Sequence, residues 1–341
     1  MNDVFLRACR REEVEYTPIW LMRQAGRYMK EYREIRQKYD FITMCKTPSI
    51  AAEVTLQPVD KLGVDAAILF ADILLPLEGM GIDFEFAKNE GPVIHNPVRN
   101  KPDVEKIRII EPEEDVGYVL EAIKMVRKEL EGRVPLIGFS GAPFTLASYI
   151  IEGGHSRNYI HAKTLMYTEP ETWHLLMDKV ADVIIAYLNA QIEAGIQAVQ
   201  IFDSWVGCLG PADYKNYVQP YSGKVIEGLK GNVPVIHFST NTSPYVELIK
   251  EAGGDVISVD WRIDIAEAWK RIGYDVGIQG NLDPTVLLGP ESEIEKNVKY
   301  ILDAVGNRSG HIFNLGHGLF PELETQKVKA LVDIVHEQSK R

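Results

Sequence analysis

Cysteine is scarce in this chain, and the three that occur, Cys9, Cys45 and Cys208, lie far apart. Their number is odd and no two of them stand in a CxxC spacing, so the sequence indicates neither a disulfide framework nor a thiolate zinc site. The eight histidines include no HExxH or similar pair on one helix face. The residues therefore predict a protein without a metal site.

Long apolar runs and basic residues are also in short supply. No uninterrupted apolar stretch approaches the roughly 20 residues that a membrane span needs, and the charged segment 1–16 lacks the apolar core of a signal peptide. Lysine and arginine number 37 against 49 acidic residues, giving a formal net charge of -12, which disfavours nonspecific binding to nucleic acid. We therefore expect a cytoplasmic protein that contacts neither membranes nor nucleic acid.

Linker-like sequence is absent as well, since no Ser- or Gly-rich tract and no low-complexity segment divides the chain. With 45% hydrophobic and 25% charged residues, the composition is that of an ordinary globular protein. Single α/β barrels reach the length of 341 residues. We predict one domain over residues 1–341, with an inserted hairpin-like segment around residues 76–110 whose alternation surrounds Asn89-Glu90-Gly91.

The chain does contain a repeated architecture of short apolar runs separated by helical patterns. Each run is typical of a buried parallel strand. Eight such runs occur, at residues 18–22, 66–70, 134–139, 198–202, 233–238, 256–260, 275–279 and 311–315. Three of the helical patterns have clear ends, from Ser243-Pro244 to Gly253, from Glu171 to Gly195 and from Pro112 to Lys128. Eight strands alternating with helices predict an α/β fold of the TIM type, a (β/α)8 barrel.

The stretch 18–36, PIWLMRQAGRYMKEYREIR, begins as an apolar run and then turns strongly basic. Residues 23–38 hold six basic and two acidic side chains, against the acidic balance of the whole chain. Arginines at a strand end beside the small residues Ala25 and Gly26 suit close binding of carboxylates or phosphates, so Arg23 and Arg27 are predicted anion ligands. A solvated helix face explains the other basic residues equally well: Lys30, Arg33 and Lys38.

Polar residues follow most of the predicted strands at the carboxyl end, where barrel enzymes gather their catalytic groups. These positions are Arg23, Arg27, Asp72, Ser140, Asp203, Ser204, Asp260, Gln279, Asn281, Asn314 and His317. Two independent patterns, strand periodicity and polar placement, thus predict an active site at the same end of the sheet.

Asp72 stands out among these residues because apolar sequence surrounds it. It lies two residues beyond the run AAILF and precedes Ile73-Leu74-Leu75. A carboxylate in such surroundings is costly to bury unless it meets hydrogen-bond donors or a positive charge. Asp72 is therefore predicted to be functional, with a helix cap or a structural ion pair as the alternative.

Several longer motifs carry a resemblance to a known family. They are MRQAGRY with the preceding Pro18 and Trp20, FADIL around Asp72, GFSGAPFTLASYIIEGG at 138–154, FDSWVG around Ser204, QGNLDP from Gln279 and NLGHG ending at Gly318. Together these motifs span nearly the whole chain. With these motifs in this order, the chain resembles the uroporphyrinogen decarboxylases.

The resemblance implies a reaction and a set of roles. The expected substrate is uroporphyrinogen, a cyclic tetrapyrrole whose acetate arms lose CO2 without a cofactor, in a homodimeric enzyme. Asp72 would accept hydrogen bonds from the pyrrole N–H groups and stabilise the cationic ring, a charge effect worth about 3–4 kcal/mol. Arg23 and Arg27 would hold substrate carboxylates, with Arg23 a candidate proton donor, and Tyr149 would complete the catalytic set. Further substrate-binding residues implied are Gln24, Ala25, Gly26, Arg36, Ser204 and His317.

Other interpretations remain open on the residues alone. GFSGA resembles a nucleophile elbow, so Ser140, Asp260 and His317 could act as in a serine hydrolase. A methyltransferase on the same barrel would need a zinc-bound His and Cys set, and a tetrapyrrole carrier would bind without turnover. Tyr149 also fits a buried core tyrosine.

Overall fold

A single parallel β-sheet forms the centre of this computed structural model, which describes residues 3–87 and 91–341. The strands within these residues are β1 (Ala67–Ile68), β2 (Phe84–Ala87), β3 (Gly91–Ile94), β4 (Leu136–Gly141), β5 (Ala198–Asp203), β6 (Val235–Ser239), β7 (Val256–Ser258), β8 (Gly277–Leu282) and β9 (His311–Leu315). Seven of them pair in the order β1-β4-β5-β6-β7-β8-β9, and every pair is parallel. The predicted α/β class is confirmed.

Helices occupy the intervals between the strands. Those of the described residues are α1 (Val4–Cys9), α2 (Lys30–Arg36), α3 (Phe41–Lys46), α4 (Pro48–Leu62), α5 (Leu75–Gly79), α6 (Lys101–Lys106), α7 (Pro112–Asp115), α8 (Gly117–Glu129), α9 (Pro143–Glu152), α10 (Ile160–Thr168), α11 (Pro170–Ala194), α12 (Pro211–Tyr217), α13 (Gln219–Glu227), α14 (Val246–Ala252), α15 (Ile265–Ile272), α16 (Glu291–Val305) and α17 (Thr325–Gln338). Short 3-10 turns lie at Val206–Cys208, Ser243–Tyr245 and Pro284–Leu288. Across the described residues, no helix combines the length and apolarity needed to cross a bilayer.

Local sequence explains where many of these helices begin and end. Pro170 occupies the first position of α11, where its missing N–H is no loss, and Gly195 ends the helix in the left-handed conformation. Asp264 caps α15 by accepting from two backbone N–H groups, a contribution of about 1 kcal/mol. Such ends fix how far each helix extends before the next strand.

The strands are buried on both faces because helices cover the outer face and a second, smaller core fills the inner one. Every residue of β4, β6, β8 and β9 is buried. The inner core contains Trp20, Ile137, Ala198, Ile236, Phe238, Val256 and Ile312. This two-sided burial is why the strands appear in the sequence as apolar runs without polar alternation.

Residues 18–22, predicted as the first strand, form only an isolated parallel bridge from Ile19 to Phe313. Pro18 has no N–H to offer, and side chains replace the neighbouring strand as acceptors: Ile19 N–H donates to Asp65 Oδ2 (2.8 Å) and Met22 N–H to Asn314 Oδ1 (3.2 Å). The segment still contacts both edges of the sheet, since its carbonyls accept from Phe313 and from Asp65. It therefore lies between β9 and β1 without being a full strand.

Other predicted bounds also differ from the structure. The strands predicted at 66–70, 134–139, 256–260 and 275–279 are Ala67–Ile68, Leu136–Gly141, Val256–Ser258 and Gly277–Leu282. Two further differences have a local cause. The segment predicted as one helix from Pro112 to Lys128 is two, α7 and α8, because Val116 leaves the helical conformation (φ -135°, ψ 24°). The strand predicted at 233–238 begins only at Val235, since Pro234 lacks the N–H that a ladder requires. Both differences lie at element ends, where local patterns are least informative.

Within the region predicted as a hairpin-like insertion, β2 and β3 pair antiparallel, with Phe84 opposite Ile94. Asn89 and Glu90, part of the predicted turn, lie outside the described residues. Phe86 packs on Phe41 (ring centroids 5.0 Å apart), and Phe41 packs on Phe70 (5.9 Å). This aromatic row links the antiparallel pair to the segment that carries Asp72.

The EGG motif, residues 152–154, serves this pairing. Gly154 forms an antiparallel bridge with Val93, and a Cβ on Gly154 would lie 2.6 Å from the Pro92 carbonyl oxygen. Gly153 accepts from Ile94 N–H at 2.9 Å. The two glycines thus let the β2–β3 pair dock on the end of α9.

Two buried histidines lead us to expect an acid-sensitive fold. Burial lowers the pKa of His237 and of His311 to about 4, so the folded chain takes up these protons only below pH 4, whereas the unfolded chain does so below about 6.5. Stability therefore falls as the pH decreases from 6.5 to 4, by up to about 3 kcal/mol for each histidine.

The expected result for His237→Asn is a weaker dependence of the unfolding free energy on pH over this range, measured by urea denaturation. The exposed His155 provides the control, since His155→Gln should retain the wild-type pH profile. Parallel profiles for His237→Asn and the wild type would contradict the assignment.

Candidate active site

The predicted polar residues lie at the carboxyl ends of the parallel strands, and Arg23 connects several of them. Its charge acts on Asp72, on Tyr149 and on His317, lowering the pKa of each group. These four side chains come from segments far apart in the chain. The structure therefore brings together the predicted carboxylate, tyrosine and histidine around one guanidinium.

Arg23 directly follows the segment 18–22 and has a left-handed backbone conformation, with φ of 61°. Neighbouring hydrogen bonds hold it there: Leu319 N–H donates to the Met22 carbonyl, and Gln24 N–H to the Leu21 carbonyl. A Cβ on Gly318 would lie 2.5 Å from Arg23 Cδ. Glycine at 318 thus makes room for the arginine side chain, which otherwise remains exposed.

Gln24 is 1% exposed, and both ends of its amide are used within the protein. Its Oε1 accepts from Leu21 N–H (3.1 Å) and its Nε2 donates to the Ala66 carbonyl (3.1 Å). The hydrogen bonds give Gln24 a positioning role, holding the Arg23 turn against β1. Its binding of substrate stays a prediction, as does that of the half-buried Ala25 and Gly26.

Asp72 is a predicted carboxylate whose pKa the charge of Arg23 lowers. Burial raises its pKa to about 6, against the lowering effects of the Leu74 N–H, which donates to Oδ1 at 2.9 Å, and of the Arg23 charge. Part of the residue remains accessible to solvent. Asp72 is therefore a poorly solvated carboxylate that is ionised at neutral pH and open to a ligand.

Tyr149 lies on α9, facing Trp205, whose ring centroid is 6.0 Å away. Burial raises the pKa of its hydroxyl to about 12, and a hydrogen bond with the Trp205 side chain opposes this shift. The hydroxyl consequently keeps its proton at neutral pH and can donate it in a hydrogen bond.

Ser204 follows β5 in a turn that several hydrogen bonds hold in place. Thr240 Oγ1 donates to the Ser204 carbonyl at 2.7 Å, and Tyr245 Oη donates to the Val206 carbonyl at 2.9 Å. A Cβ on Gly207 would overlap the Thr240 carbonyl oxygen, so only glycine fits there. The Ser204 hydroxyl is thereby presented from a rigid turn at the carboxyl edge of the sheet.

Asp203 precedes this serine and points the other way, into the layer between β5 and the helices. Its Oδ1 accepts from Thr145 Oγ1 at 3.0 Å, and burial raises its pKa to about 7. Within the described part of the chain, Oδ2 has no hydrogen-bond partner. Thr145 lies one turn before Tyr149, so this bond ties the tyrosine's helix to the strand that carries Ser204.

His317 is neutral at physiological pH because burial, together with the charges of Arg23 and Arg262, lowers its pKa to about 4. Its Nδ1 accepts from the Gly318 N–H at 2.8 Å, which leaves the proton on Nε2. It can therefore donate a hydrogen bond to a carboxylate, whereas an ion pair with a carboxylate would require a protonated ring. Phe238 packs beside it at 6.5 Å between ring centroids.

The two flanking glycines of NLGHG have a structural explanation. A Cβ on Gly316 would lie 2.6 Å from the Trp261 backbone nitrogen, while Gly318 accommodates Arg23 as described. The protein's own residues thus fill the space beside both glycines.

Arg27 and Arg36 form their hydrogen bonds away from the group around Arg23. Arg27 is exposed on the turn before α2, and its carbonyl accepts from Arg33. Arg36 is exposed and donates to the Tyr39 carbonyl at 2.9 Å. Their predicted binding of substrate carboxylates therefore depends on how far an extended ligand reaches.

The serine hydrolase arrangement is not assembled. Ser140 is fully buried, and strand alternation places its side chain on the helix-facing side with Leu136 and Gly138. Asp260 binds Arg262 and the Asn241 N–H, and His317 Nδ1 is occupied by its neighbour's N–H. The three residues consequently cannot form the relay that the motif GFSGA suggested.

The motifs do not single out two aromatic residues at this edge. Trp205 contacts Tyr149, His155 and Tyr159. Trp261 lies against Gly316. Both directly follow predicted polar positions at strand ends, which is the signal that could have found them. Among the described residues, no group of three or more His, Cys, Asp and Glu side chains could hold a metal ion.

The fold and these charged groups define the class: a parallel α/β protein whose candidate site lies beyond the carboxyl ends of the strands. The fold matches that of a methyltransferase from Methanosarcina mazei with a TM-score of 0.85 at 21% identity, covering 98% of each chain. It also matches a vitamin-B12-independent methionine synthase from Listeria monocytogenes with a TM-score of 0.61 at 12% identity, covering 96% of this chain and 97% of that one. At these identities the likeness shows the fold alone.

Sequence comparison is more specific. The profile of the uroporphyrinogen decarboxylase family matches residues 1–338. The chain is 64% identical to a uroporphyrinogen decarboxylase from Carboxydothermus hydrogenoformans over 340 residues, covering 99% of this chain and 97% of that one. It is 57% identical to another from Sorangium cellulosum over 337 residues, covering 98% and 96%. The chain belongs to the uroporphyrinogen decarboxylase family.

Proposed function

We propose that this protein is a uroporphyrinogen decarboxylase, which removes CO2 from the four acetate side chains of uroporphyrinogen III to give coproporphyrinogen III. Family membership supports the reaction. The observation in the structure that carries the proposal is the poorly solvated, accessible carboxylate of Asp72 beside Arg23 and Tyr149. One buried anion among hydrogen-bond donors suits a ligand that is itself a ring of N–H donors carrying carboxylates.

The chemistry needs an electron sink, because breaking the bond to CO2 leaves an electron pair on carbon. Protonation of a pyrrole carbon turns that pyrrole into a cation that accepts the pair. The exocyclic carbon then takes a proton and the ring loses one, so each arm converts –CH2–COO⁻ and one H⁺ into –CH3 and CO2. The substrate supplies its own sink, and we propose that no resident cofactor is required.

The residues around Arg23 would contribute in distinct ways. Asp72 as a carboxylate would accept the pyrrole N–H groups and stabilise the cationic ring. Tyr149 and the neutral His317 would donate hydrogen bonds to carboxylate arms, as would the Ser204 hydroxyl. Arg23 would bind an arm at close range, and it is a weak candidate for a proton donor because a guanidinium holds its proton tightly.

The test of this function is anaerobic incubation with uroporphyrinogen III in excess EDTA, followed by chromatography of the oxidised porphyrins. Stepwise appearance of species with seven, six, five and four carboxylates is the expected result. Tight binding without conversion would instead favour a carrier. Activity that appears only with zinc and a methyl donor would favour a methyltransferase.

Arg27→Ala is expected to weaken substrate binding by about three- to tenfold, since it removes one exposed cationic partner of a polyanion. The wild-type KM should rise with ionic strength, and the variant should show a shallower rise. Lys38→Ala, which removes an exposed cation from the same basic stretch, is the matched control and should leave KM within twofold. Equal effects of both substitutions would contradict a specific role for Arg27.

A cytoplasmic homodimer is the remaining part of the proposal. The resemblance to the uroporphyrinogen decarboxylases supports the dimeric assembly. Analytical ultracentrifugation at micromolar concentration would test the assembly, and a mass of one chain would contradict it. Cell fractionation would test the location.

A further inference from the structure

Arg262 is a further guanidinium at the carboxyl edge of the sheet, four residues beyond the end of β7. Its side chain is 43% exposed. Its Nη1 donates to Asp260 Oδ2 at 2.7 Å, and its backbone N–H donates to Asp260 Oδ1 at 3.0 Å. Asp260 is 3% exposed and also accepts from the Asn241 N–H at 2.7 Å. The buried Asp260 carboxylate thus holds the Arg262 guanidinium in place, and the Asn241 N–H in turn holds the carboxylate.

The indole of Trp261 supports the guanidinium from the side, with the Arg262 Cζ 4.2 Å from the ring centroid. Stacking of this kind orients the planar group and leaves its outer edge available. Within the described residues, Nε and Nη2 of Arg262 donate to no other group. Two parallel N–H donors on one guanidinium edge match the two oxygens of a carboxylate.

A continuous row of contacts leads from Arg262 to the group around Arg23. Trp261 lies against Gly316, where a Cβ would be 2.7 Å from Cε3 of the indole. His317 follows, and then Gly318, which packs under the Arg23 side chain. His317 therefore lies between two guanidinium groups, both of which lower its pKa. An anion placed beside the imidazole would be within the field of both arginines.

We propose that Arg262, together with His317, binds one carboxylate arm of the tetrapyrrole substrate. The proposal rests on the proposed function and extends it, because it adds an arm-binding residue that follows the sixth of the eight predicted strands, far along the chain from the basic stretch at 23–38. The buried Asp260 holds the guanidinium in the binding orientation before the substrate arrives, so little side-chain entropy is lost on binding.

Arg262→Gln is expected to raise KM for uroporphyrinogen about tenfold while kcat stays within about twofold, because the arm is bound in the ground state and in the transition state alike. The matched control is Arg308→Gln. Arg308 also stacks on an aromatic ring, with its Cζ 3.9 Å from the Tyr274 centroid, and donates to the Val305 carbonyl at 3.3 Å. It precedes β9, at the other end of the sheet, so its loss should leave both constants unchanged.

Removal of Arg262 leaves Asp260 without its cation, so a second variant separates binding from folding. Arg262→Lys keeps the charge and a partner for Asp260 but not the planar pair of donors, and is expected to raise KM about threefold at an unchanged unfolding temperature. A KM within twofold of wild type in Arg262→Gln would overturn the proposal. So would a fall in kcat at constant KM, or full recovery of KM in Arg262→Lys.

Direct binding of uroporphyrin III, followed by quenching of tryptophan fluorescence, distinguishes failure of this inference from failure of the proposed function. A wild-type chain that shows no turnover but loses affinity about tenfold on Arg262→Gln would contradict the decarboxylase activity and support the arm-binding role. If the wild type decarboxylates the substrate but Arg262→Gln leaves the affinity unchanged, the decarboxylase activity is supported and the arm-binding role of Arg262 is contradicted.

Discussion

Asp72→Asn is expected to lower kcat by about 10²- to 10³-fold while the affinity for uroporphyrinogen changes only a few-fold. The amide is nearly the same size, and its oxygen can still accept one N–H, so ground-state binding largely survives. The negative charge that would stabilise the cationic pyrrole is lost, and one such preorganised group is worth about 3–4 kcal/mol in the transition state. Steady-state kinetics under anaerobic conditions measure both constants.

The pH profile gives an independent check on the same residue. Burial raises the pKa of Asp72 to about 6, so the carboxylate becomes protonated and loses its charge as the pH falls below 6. In the wild type kcat/KM should therefore decline about tenfold for each pH unit below that value. Asp72→Asn, which has no group to protonate, should lack this decline.

Asp182→Asn is the matched control, because Asp182 is a half-exposed carboxylate on α11 that pairs with Lys224 at 2.7 Å. It should leave kcat and the pH profile unchanged. Near wild-type turnover in Asp72→Asn, or an identical acid limb in the variant and the wild type, would remove Asp72 from the mechanism.

Asp65→Ala is expected to destabilise the protein by about 3–5 kcal/mol, which is the usual cost of removing one partner of a buried ion pair. Asp65 is 2% exposed. Its carboxylate accepts from the Ile19 N–H (2.8 Å), from Tyr16 Oη (2.9 Å) and from His336 Nε2 (2.7 Å). The substitution would leave these three donors without that acceptor. The segment 18–22 would keep only one of its two hydrogen bonds to residue 65, the one from the backbone N–H of residue 65 to the Ile19 carbonyl.

Urea denaturation measures this loss as a lower midpoint with an unchanged slope. Asp65→Asn, which keeps one acceptor oxygen and the side-chain volume, should lose less stability. Asp60→Ala removes an exposed carboxylate that pairs with Arg133 and should cost under about 1 kcal/mol. A loss in Asp65→Ala no larger than in Asp60→Ala would contradict the structural role.

The same variant tests how the fold positions the site. Residues 18–22 lead directly into Arg23, and one bridge, a few backbone hydrogen bonds and side-chain acceptors hold them in place of a full strand ladder. Below its unfolding temperature, Asp65→Ala should therefore show a reduced kcat/KM as well as a reduced stability. Unchanged kinetics in the folded variant would show that the remaining hydrogen bonds, such as those of Gln24, Asn314 and Leu319, are enough to hold the Arg23 turn.

Much of the fold could be predicted because local patterns carry it. Strands buried on both faces, such as β5 and β9, must be continuous apolar runs, and the predicted bounds of β9 agree with the structure. The parallel sheet then places the residues after each strand at one edge, which predicted where Asp72 and His317 would lie. Asp72 does lie in apolar surroundings, since its chain neighbours Ala71 and Ile73 pack against the main hydrophobic core.

Other features could not be predicted because they depend on contacts between distant segments. The sequence pattern alone could not show that the Gln24 side chain donates to the Ala66 carbonyl. Nor could it show that a side chain at position 318 would collide with Arg23. It also could not show that Ser140 faces the helices, which rules out the hydrolase arrangement. Residues 18–22 have the composition of a strand, yet side-chain acceptors replace most of the ladder there.

The sequence by itself therefore determined the α/β class, the family and the edge of the sheet at which the polar residues gather, because periodicity and long motifs are properties of contiguous residues. The tertiary structure decided which of those residues meet. It alone placed Asp72, Tyr149 and His317 within the field of Arg23, and Arg262 beside His317, since the charge and burial that set their protonation come from side chains up to about three hundred positions away.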